Sequence, residues 1–253
     1  MVDTRRVDHV YKAVGTPIIP GASTGCYGDV TKASLQRLFN RLVALDLIRS
    51  NETTFLDIGS GMGLPTIHFG TLFDCLSIGI ELEYPLWLVS QYHIKKVYKR
   101  SALEGRTQPP VSFVLASITS AQTFNGFSLI YSFDILFCDV LLKQIAEIFN
   151  RHSMSRVAYI SYHNPNKLSS VGFEGLQLLG TQHMDMTGSG ESKTAYIYVS
   201  RKNCAAVTFN DVEVDPLFQT AFAKHKAGTL VQSNQEMDIR DLCPPRSTRS
   251  SQK

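Results

Sequence analysis

What this sequence lacks narrows its function before any motif is read. No apolar run approaches membrane-spanning length, and the opening Met-Val-Asp-Thr-Arg-Arg-Val-Asp-His has no apolar core of the signal-peptide kind. A soluble intracellular protein with no membrane partner is expected. Cysteine is sparse: Cys26, Cys75, Cys138, Cys204 and Cys243 are odd in number, scattered and never spaced Cys-x-x-Cys. That pattern fits free thiols in a reducing compartment better than disulfides or zinc. The seven histidines form no His-Glu-x-x-His and no cluster with cysteine, so no metal site is expected. Charge of one sign is missing too. With a formal net charge of +3, contact with nucleic acid must come from local clusters, not an overall field.

What is present is a hydrophobic fraction of 43%, ordinary for a globular protein, in a chain of 253 residues, enough for one large domain with extensions. The most informative stretch runs from Phe55 to Leu64, Phe-Leu-Asp-Ile-Gly-Ser-Gly-Met-Gly-Leu. An apolar strand ends in Asp57, Gly59, Gly61 and Gly63 alternate, and Pro65 opens a helical pattern where its missing N–H costs nothing. Glycine permits a tight turn and lets a ligand approach the backbone. Downstream, Leu76 to Ile80 reads as a second strand ending in Glu81, where an acid can grip both ribose hydroxyls of a nucleoside. The spacing Gly59-x-Gly61-x-Gly63 is not the G-x-G-x-x-G of pyrophosphate binders. With Asp57 ahead of it, it resembles S-adenosylmethionine (SAM) methyltransferases; a turn needed only for strand–helix packing is the bland alternative.

Along the chain, residues 1–24 mix charge with Gly15, Pro17, Pro20 and Gly21, which predicts a loop or short N-terminal arm. From Thr31, Leu35, Leu38, Phe39, Leu42 and Leu45 recur at helical spacing, with Asp29 or Thr31 as cap. A third helix follows Glu81; His93 lies on its buried side, and Lys95, Lys96, Lys99 and Arg100 form a solvated face. Further strands are expected at Val111–Leu115, Phe127–Phe133, Arg156–Ser161, Leu176–Met186 and Ala195–Ser200, with a helix from Leu136 to Phe149. Ser117 or Ile118 would meet the adenine. Tyr131 through Asp134 would face the ligand, because in open α/β sheets ligands lie outside the carboxyl ends of the strands. Asn164-Pro165 reads as a turn. Pro244, Pro245, Arg246, Ser247 and Arg249 belong to a basic tail that cannot bury enough apolar area to order itself, and that is a candidate for DNA contact. The expected organisation is an arm over 1–24, a domain over 25–203 and an extension over 204–253.

Together these residues resemble a narrower family. Tyr27-Gly28-Asp29 before a helix, Phe55-x-Asp57-x-Gly59-Ser60-Gly61-x-Gly63, Gly79-Ile80-Glu81, and Phe137 to Phe149 are similar to the disruptor-of-telomeric-silencing (Dot1-type, non-SET) methyltransferases, in the form of the kinetoplastid branch. The resemblance implies a class I SAM-dependent methyltransferase fold, a Rossmann-like α/β sheet flanked by helices. It also implies methyl transfer from SAM to a lysine of histone H3 on the nucleosome, hence nuclear localisation. Tyr27, Gly28, Asp29 and Val30 would close over the methionine end of SAM. Phe55 to Leu64 would form its floor, with Asp57 near its ammonium and Glu81 on the ribose. Animal and yeast relatives have paired asparagines where Tyr131-Ser132-Phe133-Asp134 stands, so Ser132 or Asp134 would supply the polar group near the methyl donor. Ser117 and Leu64 replace an acid and a glutamine of the family. Tyr196 matches an aromatic of the lysine channel. A methyltransferase of other specificity, or a SAM-binding scaffold without turnover, stands as the alternative.

Lysine must be neutral to attack. Presenting the amine at pH 7 costs about 4.6 kcal/mol, taking ~1.36 per unit over ~3.4 units. An aromatic channel and a nearby sulfonium both disfavour the ammonium. Tyr131, Phe133 and Tyr196 are therefore expected as channel walls, with Asp134 either a base or the cap of the following helix.

Overall fold

The computed structural model of the protein describes residues 4–14, 30–50, 52–153, 155–187, 191–201 and 213–228. Five strands, β1 (Phe55–Ile58), β2 (Ser77–Glu81), β3 (Val111–Leu115), β4 (Leu129–Ser132) and β5 (Arg156–Ser161), pair in parallel. The long strands β6 (Leu176–Asp185) and β7 (Ser192–Arg201) form an antiparallel hairpin, and β7 joins β5 antiparallel. The sheet order is β3-β2-β1-β4-β5-β7-β6. The strand order reverses at β1, so its carboxyl end opens toward two neighbours whose chains leave in opposite directions, which is where ligands enter such sheets.

Alternation of side chains across the strands divides the core. Leu56, Ile58, Ile78, Ile80, Ile130, Val157 and Tyr159 face α5 (Asp139–Asn150), α6 (Pro165–Ser170) and α7 (Pro216–Lys226). Phe55, Leu129, Tyr131, Ala158, Ile160 and Ile197 face α2 (Lys32–Ala44) and α3 (Leu64–Phe73) on the other side. β1, β2, β4 and β5 are buried almost throughout because both faces are covered, whereas β6 at the sheet edge is mostly half-buried or exposed. Thr31 caps α2: its hydroxyl accepts from the Ser34 backbone N–H at 3.2 Å, one of the two capping residues expected. His93, on α4 (Tyr84–Leu103), is buried against the Met62 carbonyl, 2.9 Å from Nδ1, a core residue as expected.

Two segments differ from their sequence patterns. Within the expected arm, Thr4–Val7 makes a 3₁₀ turn leading into α1 (Asp8–Val14), and Val7, Val10 and Val14 are buried beside α3 and α4. Within the expected extension, α7 buries Phe218 and Phe222 edge-on against Phe127, with ring centroids 4.9 and 5.4 Å apart. Asp215 caps α7 at the Leu217 N–H and accepts from the N–H groups of Gln122 and Thr123, which ties the helix to the approach of β4. The basic tail lies outside the described residues.

Candidate active site

The glycine turn is clipped to the end of β2. Backbone N–H groups of Gly59 and Ser60 both donate to the Ile80 carbonyl at 3.0 Å, and Gly63 N–H donates to the Ser60 carbonyl at 2.8 Å. Gly59, Gly61 and Gly63 have φ of 70°, 53° and 83°, a left-handed conformation that only glycine adopts without strain. Their surroundings differ. A Cβ on Gly63 would lie 2.5 Å from the Phe113 ring and one on Gly59 would lie 3.0 Å from the Phe137 ring, whereas one on Gly61 would meet nothing within 4 Å. The turn is packed at both ends and open in the middle.

Glu81 closes the other side of this opening. It is buried at the end of β2; Oε2 accepts from Gly61 N–H and Oε1 from Glu83 N–H, both at 2.8 Å. Each oxygen keeps a further lone pair for a ligand. Asp57, one residue before the end of β1, has Oδ2 accepting from the Thr66 hydroxyl at 2.6 Å. Burial pushes its carboxyl up to about 7; the Thr66 bond pulls it down and the Glu81 charge adds to the rise. Ser60 is buried in the same turn, and a Cβ on Gly79 would lie 2.7 Å from its hydroxyl and 2.6 Å from the Phe113 ring. Gly79 is thus the place where β2 lets the turn and Phe113 come together.

Of the other expected cofactor residues, Tyr27, Gly28 and Asp29 lie outside the described residues. Val30 bridges Met186, and Thr31 N–H donates to the Asp185 carbonyl at 3.0 Å, so the chain leading into α2 is anchored at the end of β6. Phe55 is core, stacked on Phe69 with centroids 4.3 Å apart, and supports the floor from beneath. Leu64 opens α3 and is half-buried. Ser117 is spent on its own turn, its hydroxyl accepting from Thr119 N–H at 3.3 Å, and Ile118 is buried in the core.

The expected acceptor side departs further from its sequence pattern. Tyr131 is buried in the core beneath the site and its hydroxyl lies 3.0 Å from that of Tyr162; it backs the site and lines no open channel. Ser132 is buried at the end of β4. Phe133 is half-buried and meets Tyr162 edge-to-face at 4.6 Å, while Tyr196 is half-buried and stacked on Tyr198. Asp134 neither caps a helix nor faces solvent. Its Oδ2 accepts from the Ser161 hydroxyl at 2.6 Å and Oδ1 from Tyr162 N–H at 2.8 Å, pinning the end of β4 to the end of β5. Burial raises its pKa, and those two bonds oppose the rise. Phe137, expected inside the helix, lies in the turn before α5 with its ring over Gly59. Thr66 and Phe113 are the residues that sequence reading missed here. The signal for Thr66 was its place in the first turn of the helix after the glycines.

No family model matches the chain, and no curated protein matches it in sequence. Solved structures match it in shape. Magnesium protoporphyrin IX methyltransferase from Synechocystis PCC 6803, with bound SAM, aligns over 79% of this chain and 98% of its own at a TM-score of 0.49 and 14% identity. A putative RNA methyltransferase from Pyrococcus horikoshii aligns over 78% and 98%, TM-score 0.49, 13% identity. A mutant of MtNAS in complex with S-adenosylmethionine aligns over 78% and 72%, TM-score 0.48, 13% identity. The chain's own architecture is a mixed α/β fold, a seven-stranded sheet flanked by helices.

Proposed function

We propose that the chain is a SAM-dependent methyltransferase whose donor lies over Gly61. The observation that carries this reading is the juxtaposition of an open Gly61 with the Glu81 carboxylate, 2.8 Å from its N–H, at the carboxyl ends of adjacent parallel strands. A nucleoside fits that pairing: carboxylate oxygens for the ribose hydroxyls, and a side-chain-free backbone beneath. Asp57 supplies a negative charge on the β1 side for an ammonium group. When bound, SAM supplies an electrophilic methyl on a sulfonium. The protein's part is to align the acceptor with it and exclude water, since an in-line displacement gains chiefly from orientation and desolvation.

The finer reading is that the acceptor is the side-chain amine of a histone H3 lysine on the nucleosome core, which would place the protein in the nucleus. It is supported by the Tyr27-Gly28-Asp29 segment joined to the glycine motif and by Phe133, Tyr162 and Tyr196, aromatic groups on or next to strands that end beside the crevice. Apolar walls favour the neutral amine over the ammonium. Labelled SAM incubated with reconstituted nucleosomes, free histones and a metabolite mixture, followed by mass spectrometry, tests both levels. Label on H3 lysine within nucleosomes is expected, absent in Gly61→Arg. Label confined to metabolites or other proteins would overturn the substrate class. SAM binding without transfer to any acceptor would make the chain a binding scaffold.

A further inference from the structure

His163 stands two residues past the end of β5, half-buried, with its ring fixed on one side only. Nε2 lies 3.0 Å from the backbone carbonyl of Asp134. A carbonyl oxygen can only accept, so the neutral ring carries its proton on Nε2 and a bare lone pair on Nδ1. Among the described residues Nδ1 meets no hydrogen-bond partner. The backbone around the ring is held as firmly: His163 N–H donates to the Ser161 hydroxyl at 3.0 Å and its carbonyl accepts from the Tyr198 hydroxyl at 2.7 Å.

The Asp134 carbonyl is a shared node. It also accepts from Phe137 N–H at 3.0 Å, and the Phe137 ring covers Gly59. One short loop between β4 and α5 therefore sets both the roof of the glycine turn and the orientation of the imidazole. The Asp134 carboxylate is wholly buried with both oxygens engaged, so it cannot reach an acceptor. The charged groups that interact with His163 are Asp134 on that loop and Asp139 on α5, the latter ion-paired with Lys167 of α6 and near Lys143, while Tyr162 adjoins it in sequence and Tyr198 bonds its carbonyl.

We propose that His163 is the general base of the transfer, with Nδ1 receiving the proton that the acceptor heteroatom loses. The inference rests on the methyltransferase reading above. The freed electron pair on the acceptor bonds to the methyl carbon, the carbon–sulfur pair stays on sulfur, and the imidazolium returns its proton to solvent from its half-exposed position.

Three measurements on the full chain test this. Nitrogen-15 NMR of the histidine rings should show His163 as the Nε2–H tautomer; the Nδ1–H tautomer overturns the assignment. His163→Gln keeps an amide donor for the Asp134 carbonyl but no base. Its turnover with labelled SAM and nucleosomes should fall about 100-fold or more, the range of a lost general base, with SAM affinity unchanged by equilibrium dialysis and the acid limb of the pH–rate profile gone. His163→Ala should regain turnover with added imidazole, which a purely structural role would not permit. Transfer by His163→Gln at the wild-type rate and pH dependence overturns the proposal alone. Wild-type protein that transfers methyl to neither nucleosomes, free histones nor metabolites overturns the methyltransferase reading, and the proposal with it.

Discussion

Two carboxylates divide the work at the crevice, and each makes a separate prediction. In the proposed site Glu81 would hold the ribose. Glu81→Gln replaces one charged acceptor by an amide, a loss of about 1.5–3 kcal/mol for charge-assisted bonds, so SAM affinity should drop about 10- to 100-fold in equilibrium dialysis. An unchanged affinity would remove Glu81 from the site. Asp57 makes a pH prediction because burial lifts its carboxyl to about 7. Protonated Asp57 is neutral and offers no attraction to an ammonium. SAM affinity should therefore rise as pH increases from about 6 to 8, and Asp57→Asn should flatten that rise. A profile equally steep in the variant would assign it to another group. The placement of both residues at the ends of adjacent strands was legible in the sequence because the motif is local: strand, turn, helix and second strand lie within 27 residues, Phe55 to Glu81. His163 was not, because its significance lies in a bond to the Asp134 carbonyl, 29 residues away.

Between β4 and β5 the governing element is the pair of strand ends that Asp134 joins. The sequence reading gave this residue to the ligand, as a base or as the polar group near the methyl donor, or to the cap of the following helix. Its partners are instead the Ser161 hydroxyl and Tyr162 N–H on the adjacent strand, a pairing set by sheet order and not by any local pattern. Asp134→Ala leaves a buried hydroxyl and a buried N–H without their acceptor, at about 1–3 kcal/mol each, so unfolding free energy from urea titration should fall by several kcal/mol. A stability loss under about 1 kcal/mol would show that the two groups find other partners. The same locality explains the missed α1: Gly15, Pro17, Pro20 and Gly21 read as punctuation, while the burial of Val7, Val10 and Val14 depends on α3 and α4 arriving from elsewhere in the chain. The strands β3 and β5, by contrast, were legible to the residue as short apolar runs, whereas β4 is shorter than its run and β7 starts three residues earlier than expected.

At the scale of the whole molecule, the site sits in a core that stores two opposed proton affinities. His68, fully buried in α3, lies with Nδ1 2.9 Å from the Tyr11 hydroxyl of α1 and Nε2 3.3 Å from the Gln36 side-chain Oε1 of α2, joining three helices. Burial, with Lys32 nearby, drops its pKa to about 3 from 6.5, so the unfolded chain binds the extra proton between those values. Its contribution to stability is lost as pH falls through that window. Asp57 has the opposite sign: the folded chain holds the proton up to about 7, so its contribution is lost as pH rises from about 4 to 7. Each window spans about three units, on the order of 4 kcal/mol, and they overlap. Asp57→Asn should therefore lose stability on acidification from pH 7 to 5 relative to wild type, and His68→Gln should gain, read from urea midpoints. Parallel curves for all three proteins would contradict the assignment.

The claim on which everything else depends is that the opening over Gly61, bounded by Glu81, holds SAM. Calorimetric titration of the wild-type chain with SAM tests it most directly. One-to-one binding that Gly61→Arg abolishes, with the variant still folded by circular dichroism, is the result predicted. A folded wild-type protein that binds no SAM, or a Gly61→Arg variant that binds it equally well, would contradict the account.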